Sequence, residues 1–190
     1  YYDTIEELKI FIKKYPKHEN IDYAHYLLGI CFYEQIVDEK KDLKSIILAK
    51  EKFKFVIRQF PDTDYALDAT YKLDLINNIL ASKEMYLGRY YMQKKKWIPA
   101  INRFRKIIDD YETTIYSEEA MHRLVEVYYI LGLQIEAEKY AYLLGYNYQS
   151  SEWYKKSYSV FDKIYEKNIQ KIKKDKKEGI IKKTFKSLFD

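Results

Sequence analysis

The sequence predicts an all-α protein built as a solenoid of antiparallel helix pairs. Three observations carry that expectation. Only 5 Gly and 3 Pro occur in 190 residues, which suits long helices joined by short turns. Apolar residues recur at helical spacing through most of the chain. A small-x3-large pair also recurs: Ala49/Phe53 stand before Pro61 and Ala100/Phe104 before Glu112, each eight residues after the large member. Leu8 has the same relation to Pro16, with Thr4 in the small position, and Ala137/Ala141 form a weaker copy. The last three of these pairs in chain order have first-helix counterparts upstream, at Leu28/Gly29/Phe32, Leu87/Gly88/Tyr91 and, degenerately, Leu124/Val125/Tyr128.

A helix–turn–helix unit whose small residues let neighbouring helices approach, with large ones filling the seam, is the tetratricopeptide (TPR) repeat. Its clearest copy is residues 81–114. About three and a half repeats are expected over residues 1–171, with a capping helix at their C-terminal end and a basic tail over 172–190. Because the array opens inside a second helix, the chain reads as an N-terminally truncated piece of a longer one.

In chain order, residues 2–15 form a helix with Ile5, Leu8, Phe11 and Ile12 on one face, ended by Pro16. Asp22 is expected to cap a helix running to about Ile36, with Ala24, Leu28 and Phe32 inward. Gly29 and Ala49 are twenty positions apart where Gly88 and Ala100 are twelve apart, so eight residues are inserted around VDEKKDLK. A helix follows from about Ser45 to Phe60. No breaker stands between Asp62 and Gly88, which predicts one unbroken helix over 65–94, roughly 45 Å long. Trp97–Tyr111 returns, with Pro99 in its first turn and Ile101, Phe104 and Ile108 inward. Ser117 is expected to cap a helix ending at Gly132, and 134–145 to return before Gly145. A last helix from Ser150 or Ser151 turns Trp153, Tyr158, Phe161 and Tyr165 inward. Beyond Lys171 the charged run is expected to be solvated.

Charge divides unevenly. Lys167–Asp190 holds nine lysines against three acids, a net of +6, while the remainder holds 25 basic and 26 acidic side chains. The basic balance therefore belongs to the tail. Nucleic-acid binding needs a basic surface interleaved with exposed rings, whereas the 22 Tyr are expected mostly at packing positions. No nucleic-acid partner is implied. The tail segment from Ile181 to Leu188 has the spacing of a short basic amphipathic helix. No window has the apolar length of a membrane span.

Catalytic and cofactor motifs are missing: there is no HExxH, GxGxxG, GxxxxGK or paired-cysteine metal spacing. His18, His25 and His122 lie apart and read as surface or satisfied residues. Cys31 sits in a core stretch and reads as a small buried apolar residue. Asp109-Asp110 and Glu118-Glu119 read as solvated helix ends. No enzyme, metal or cofactor is expected.

The stretches HENIDYAHYLLGI (18–30), QFPDTDYALDATYKL (59–73) and YYMQKKKWIPAINRFRKIIDDY (90–111), with the eight-residue insertion, resemble the BamD family of TPR lipoproteins. LGYNYQSSEWY (144–154) is similar to the form that family takes in alphaproteobacteria. The resemblance implies a non-catalytic scaffold of the outer-membrane β-barrel assembly machine. It implies a lipid anchor at an N-terminal cysteine and a place on the periplasmic face of the outer membrane. The C-terminal repeats would bind the last POTRA domain of BamA, with other assembly lipoproteins as further partners. Unfolded outer membrane proteins would meet the N-terminal repeats of the full-length protein. The cysteine, the first repeat and half of the second are expected upstream of Tyr1. By the same resemblance, the Asn-Arg pair at Asn102-Arg103 would be partner-binding, Arg103 meeting an acid of BamA. The alternative is a TPR adaptor of another cell-envelope or pilus-assembly complex. If the tail is solvated as expected, deleting residues 172–190 leaves the melting midpoint within a few degrees of the intact chain; a larger fall would show that it docks.

Overall fold

The computed structural model describes residues 2–36 and 43–161, and these are all-helical and TPR-like. The helices are α1 (Tyr2–Lys14), α2 (Ile21–Tyr33), α3 (Leu43–Gln59), α4 (Asp64–Gln93), α5 (Trp97–Asp110), α6 (Ser117–Ile130) and α7 (Gln134–Asn147), then α8 over residues 152–161. The middle of the expected insertion, Tyr165 and the whole basic tail lie outside the described residues. Two compact units are formed. One holds the residues up to Leu87 with Asp109–Tyr116, the other Gly88–Ile108 with the described residues from Ser117 onward. The chain passes between them inside α4, which is unbroken over its 30 residues.

Within the first unit α1 packs on α2 and α2 on α3. Ile5, Ala24, Leu28, Cys31, Phe32, Ile46, Ala49, Phe53 and Val56 are buried, the apolar stripes expected of these helices. Gly29 marks the tightest approach. A methyl group built on it would lie 2.8 Å from the Phe53 ring, nearer than real carbons come. The second unit repeats the device between α4 and α5, where a methyl on Gly88 would lie 2.8 Å from Cδ1 of Phe104 and closer still to Cε1. Between α6 and α7 the sizes are exchanged: Val125 takes the glycine position, and Ala141 with Ala137 completes the cluster. One large side chain is seated per seam, supplied by either helix.

Turns are closed by backbone geometry. After α6, Gly132 adopts φ 74°, its N–H donates to Tyr129 O, and Leu133 N–H donates to Tyr128 O. This is the left-handed C-terminal cap that glycine adopts without strain. The same pair of bonds closes α4, Lys95 N–H to Met92 O and Lys96 N–H to Tyr91 O. There the left-handed position, φ 55°, is held by Lys95, at a steric cost a glycine would avoid.

The sequence expectations are corrected at several places. α2 starts at Ile21 and ends at Tyr33. Asp22 does not cap it but accepts the N–H of Tyr23 at 2.7 Å, and the chain beyond Tyr33 tightens into a turn, with Gln35 N–H on Phe32 O and Ile36 N–H on Tyr33 O. Ser117 is the first residue of α6, and its buried hydroxyl finds no hydrogen-bond partner. In α5 the buried positions are Ala100, Ile101, Phe104 and Ile107, so Ile107 replaces Ile108 on the inner face. α7 runs through Gly145 to Asn147 because Gly145 makes room for a ring, Tyr154 coming within 2.7 Å of where a Cβ would stand. Ser151 caps α8, accepting the N–H of Tyr154 at 3.1 Å. The resulting phase buries Ser157, and Tyr158 is exposed. Tyrosines are less often packed than expected: among the described residues nine are exposed, Tyr2, Tyr15, Tyr23, Tyr71, Tyr86, Tyr90, Tyr142, Tyr146 and Tyr158.

The seam predicts a measurable asymmetry. In an open helix Gly→Ala raises stability by about 1 kcal/mol, but Gly88→Ala forces carbon into the Phe104 ring, an overpacking cost of about 1–3 kcal/mol. Urea unfolding is expected to show Gly88→Ala destabilised. Combining it with Phe104→Leu should cost less than the sum of the two single changes. Additive costs would show that ring and glycine do not share the space.

Candidate functional site

The two residues singled out from the sequence lie on α5. Pro99 is its third residue, where the missing N–H falls among those that have no partner within the helix. The first helical bond is made by Ala100 N–H to Lys96 O, 3.2 Å. With Ala100, Ile101, Phe104 and Ile107 turned inward, a 100° step per residue leaves Asn102 exposed and Arg103 half-buried at the edge of the face. Tyr91, Pro99, Asn102, Arg103 and Lys106 line an open groove of about 300 Å³. Arg103 and Lys106 are each already engaged in an interaction within the protein.

The groove's ionisable wall is cationic, and the turn leading into α5 adds Lys94, Lys95 and Lys96, all exposed. Such a wall attracts carboxylates. Arg103 can hold one through two parallel N–H groups, which a lysine cannot. The apolar faces of Tyr91 and Pro99 offer contact beside the charge. Asn102 and Arg103 thus share one groove, as their adjacency suggests. The contributions of Tyr91 and Lys106 were not legible: Tyr91 comes from the preceding helix, and Lys106 is one turn beyond Arg103.

A second polar assembly joins α4, α6 and α8. Glu119, whose side chain is only 8% exposed, pairs with Arg89 and Arg123. Arg89 Nε donates at 3.0 Å and Arg123 Nε at 3.2 Å. Arg123 also donates to Glu126 Oε2 at 2.7 Å. His122 Nε2 lies 3.5 Å from Glu126 Oε1, and its Nδ1 shares a 2.9 Å hydrogen bond with buried Ser157. Trp153 lies against the His122 ring, 5.2 Å between centroids, with the Arg123 guanidinium 5.6 Å away and Lys156 Nζ 4.3 Å from the ring centre. The reading of His122 as a satisfied residue holds. Glu119 is a correction, since it is buried and paired, while its neighbour Glu118 is only half-buried. Adjacent helical positions diverge by about 100°, and here one of the pair points in. The i,i+4 spacing of Glu119 and Arg123 was visible in the sequence; Arg89, thirty residues upstream, was not.

Elsewhere, Cys31 is buried in the first unit, and burial pushes its thiol pKa up, which disfavours the reactive thiolate. Desolvation, with Lys52 nearby, lowers the pKa of His25. Burial and a 2.6 Å hydrogen bond donated to Asp68 push the Tyr26 phenol up. Among the described residues no group of three or more His, Cys, Asp or Glu could hold a metal. No helix among them is long and apolar enough to cross a membrane.

A family model described as "Outer membrane lipoprotein" (YfiO) matches residues 1–143. A protein of Rickettsia prowazekii is 46% identical over 160 residues, covering 84% of this chain and 64% of the relative. One of Caulobacter vibrioides is 38% identical over 162 residues, 85% of this chain and 53% of the relative. One of Neisseria meningitidis serogroup A is 32% identical over 139 residues, 68% and 52%. Each is named outer membrane protein assembly factor BamD. The chain thus spans between about half and two thirds of these relatives.

The α6–α8 network predicts a pH dependence. Burial works against the Glu126 charge, but hydrogen bonds from His122 and Arg123 outweigh it and hold its pKa below the ordinary value of 4.5. A depressed carboxylate contributes stability in full above its unfolded value, and that stability is lost as pH falls through the folded one. Melts recorded from neutral pH downward should show a midpoint that starts to fall near pH 4.5. Glu126→Gln should lower the neutral-pH midpoint and flatten that acid limb; an unchanged limb would show that Glu126 does not contribute to it.

Proposed function

The chain belongs to the YfiO family of outer membrane lipoproteins, and on that premise we propose that it is a non-catalytic TPR scaffold of the outer-membrane β-barrel assembly machine. The observation that carries this is the 46% identity to an outer membrane protein assembly factor over 84% of the chain. The scaffold works at the periplasmic face of the outer membrane, held there by a lipid anchor upstream of these residues. Its partner is the periplasmic POTRA region of BamA, and its work is to help fold and insert outer membrane proteins. Accessory assembly lipoproteins and unfolded barrel substrates are partners of the full-length protein.

The groove on α5 supports this reading in physical terms. A scaffold needs a rigid surface that presents charge without spending it on its own core. α5 buries one face and offers Arg103 and Asn102 beside the rings of Tyr91 and Pro99. Arg103 meets a carboxylate of the partner; Asn102, with both donor and acceptor, reads the neighbouring backbone. The remodelling is local, because Arg103 exchanges its present interaction for one across the interface.

Removing one member of a desolvated charge pair costs about 2–5 kcal/mol, since the other charge is left unpaired. Arg103→Glu should cost at least as much, by setting two acids together. A calorimetric titration against the cognate BamA periplasmic region should show this loss, with the melting midpoint of the fragment retained. Reversing the partner's acid to lysine should recover part of it. Equal affinities would remove Arg103 from the interface. Absence of binding by the unaltered chain would favour an adaptor of another envelope or pilus-assembly complex.

A further inference from the structure

The turn joining α7 to α8 forms a second pocket that the proposed scaffold role leaves unused. It measures about 590 Å³ and is lined by Glu118, Tyr146, Asn147, Tyr148, Gln149 and Ser150, within the range of small-ligand sites. Three backbone features hold its wall. Gly145 admits the Tyr154 ring against the last turn of α7. Tyr148 N–H donates to Leu144 O at 2.9 Å, and Ser151 N–H to Tyr148 O at 3.1 Å. Ser151 Oγ is committed to capping α8. The segment between is thereby a fixed turn, and a ligand meeting it would lose little to reorganisation.

Its side chains define the chemistry of an occupant. Tyr146 is 85% exposed, an apolar ring held in water with nothing packed on it. Asn147 and Gln149 each present a donor and an acceptor side by side, and Ser150 adds a hydroxyl. Glu118 is the only charge, so the pocket repels anions. One carboxylate among amides is too few for a cation. A lipid chain would find mostly polar walls. Neutral sugars match on both counts: their C–H faces stack on an electron-rich ring, and their vicinal hydroxyls pair with an amide in the way that another amide does.

The geometry points to a neutral-saccharide subsite at the α7–α8 turn, with Tyr146 as stacking platform and Asn147 and Gln149 as hydroxyl readers. It is independent of the groove on α5 and of any protein partner.

Calorimetric titration of the full chain with chitotriose and with maltotriose tests it. At least one should saturate with a Kd on the order of 1 mM, a contact energy of about 4 kcal/mol. Tyr146→Ala should weaken it at least about tenfold without moving the melting midpoint, because the ring is exposed. A sulfated disaccharide should not bind beside Glu118. The assignment is overturned if neither trisaccharide saturates, if Tyr146→Ala binds as the unaltered chain does, or if the sulfated sugar binds equally well.

Discussion

The interlock of a missing side chain on one helix with a ring on the next is the constraint from which the rest of this structure follows. At Gly29 and Gly88 the backbone itself forms the floor on which Phe53 and Phe104 rest. Interiors pack as densely as organic crystals, so a ring that fills such a notch fixes how close the helices come and how each is rotated about its axis. In the third seam Val125 and Ala141 supply the same filling from the other side. What matters is the summed volume at each crossing. This explains how the repeat tolerates sequence drift without losing its spacing.

Rotation is what turns packing into a surface. Once Phe104 is seated, every other residue of α5 has its direction assigned by the 100° step. Arg103 then falls at the edge of the buried face and Asn102 outside it, facing Tyr91, three residues past the glycine that seats the ring. The apolar seam thus sets the edge of the helix from which that charge projects. The C-terminal end of the described chain is organised differently. Glu119, Arg123 and Glu126 are linked along α6 by side-chain hydrogen bonds, and His122 ties α6 to α8 through Ser157, with Trp153 lying against His122 and Arg123. A buried charge left alone would be costly, so this network is sound only because each member finds a partner.

Much of this was legible in the sequence, for physical reasons that also mark its limits. The unbroken α4 could be read because no Gly or Pro interrupts it before Gly88, and a strong period needs no tertiary information. The small-x3-large pairs could be read because volume is written in residue type. Helix ends were less legible. Asp22 and Ser117 have the chemistry of caps, yet Ser117 is buried without a partner and Asp22 lies inside the first turn. A cap depends on where the preceding turn places the chain, and residue type does not encode that. Gly145 misled for a related reason: glycine ends helices when a left-handed turn is needed, as at Gly132, but it also continues them where a neighbour presses close. Only the position of Tyr154 distinguishes the two uses.

The pairing of Arg89 with Glu119 shows where a candidate site escapes sequence reasoning altogether. Neither residue is unusual for its helix, and no local rule relates positions thirty apart. Their contact exists because Gly88, one residue before Arg89, draws α5 close to the end of α4 and sets the direction in which Arg89 leaves the helix. The seam that orients Arg103 on α5 therefore also orients Arg89 on α4, toward the buried Glu119. Two arginines with opposite roles, one joined to a buried acid and one on the wall of an open groove, are assigned those roles by a single apolar contact. A substitution at that contact acts on both at once, whereas a change at either arginine leaves the other in place.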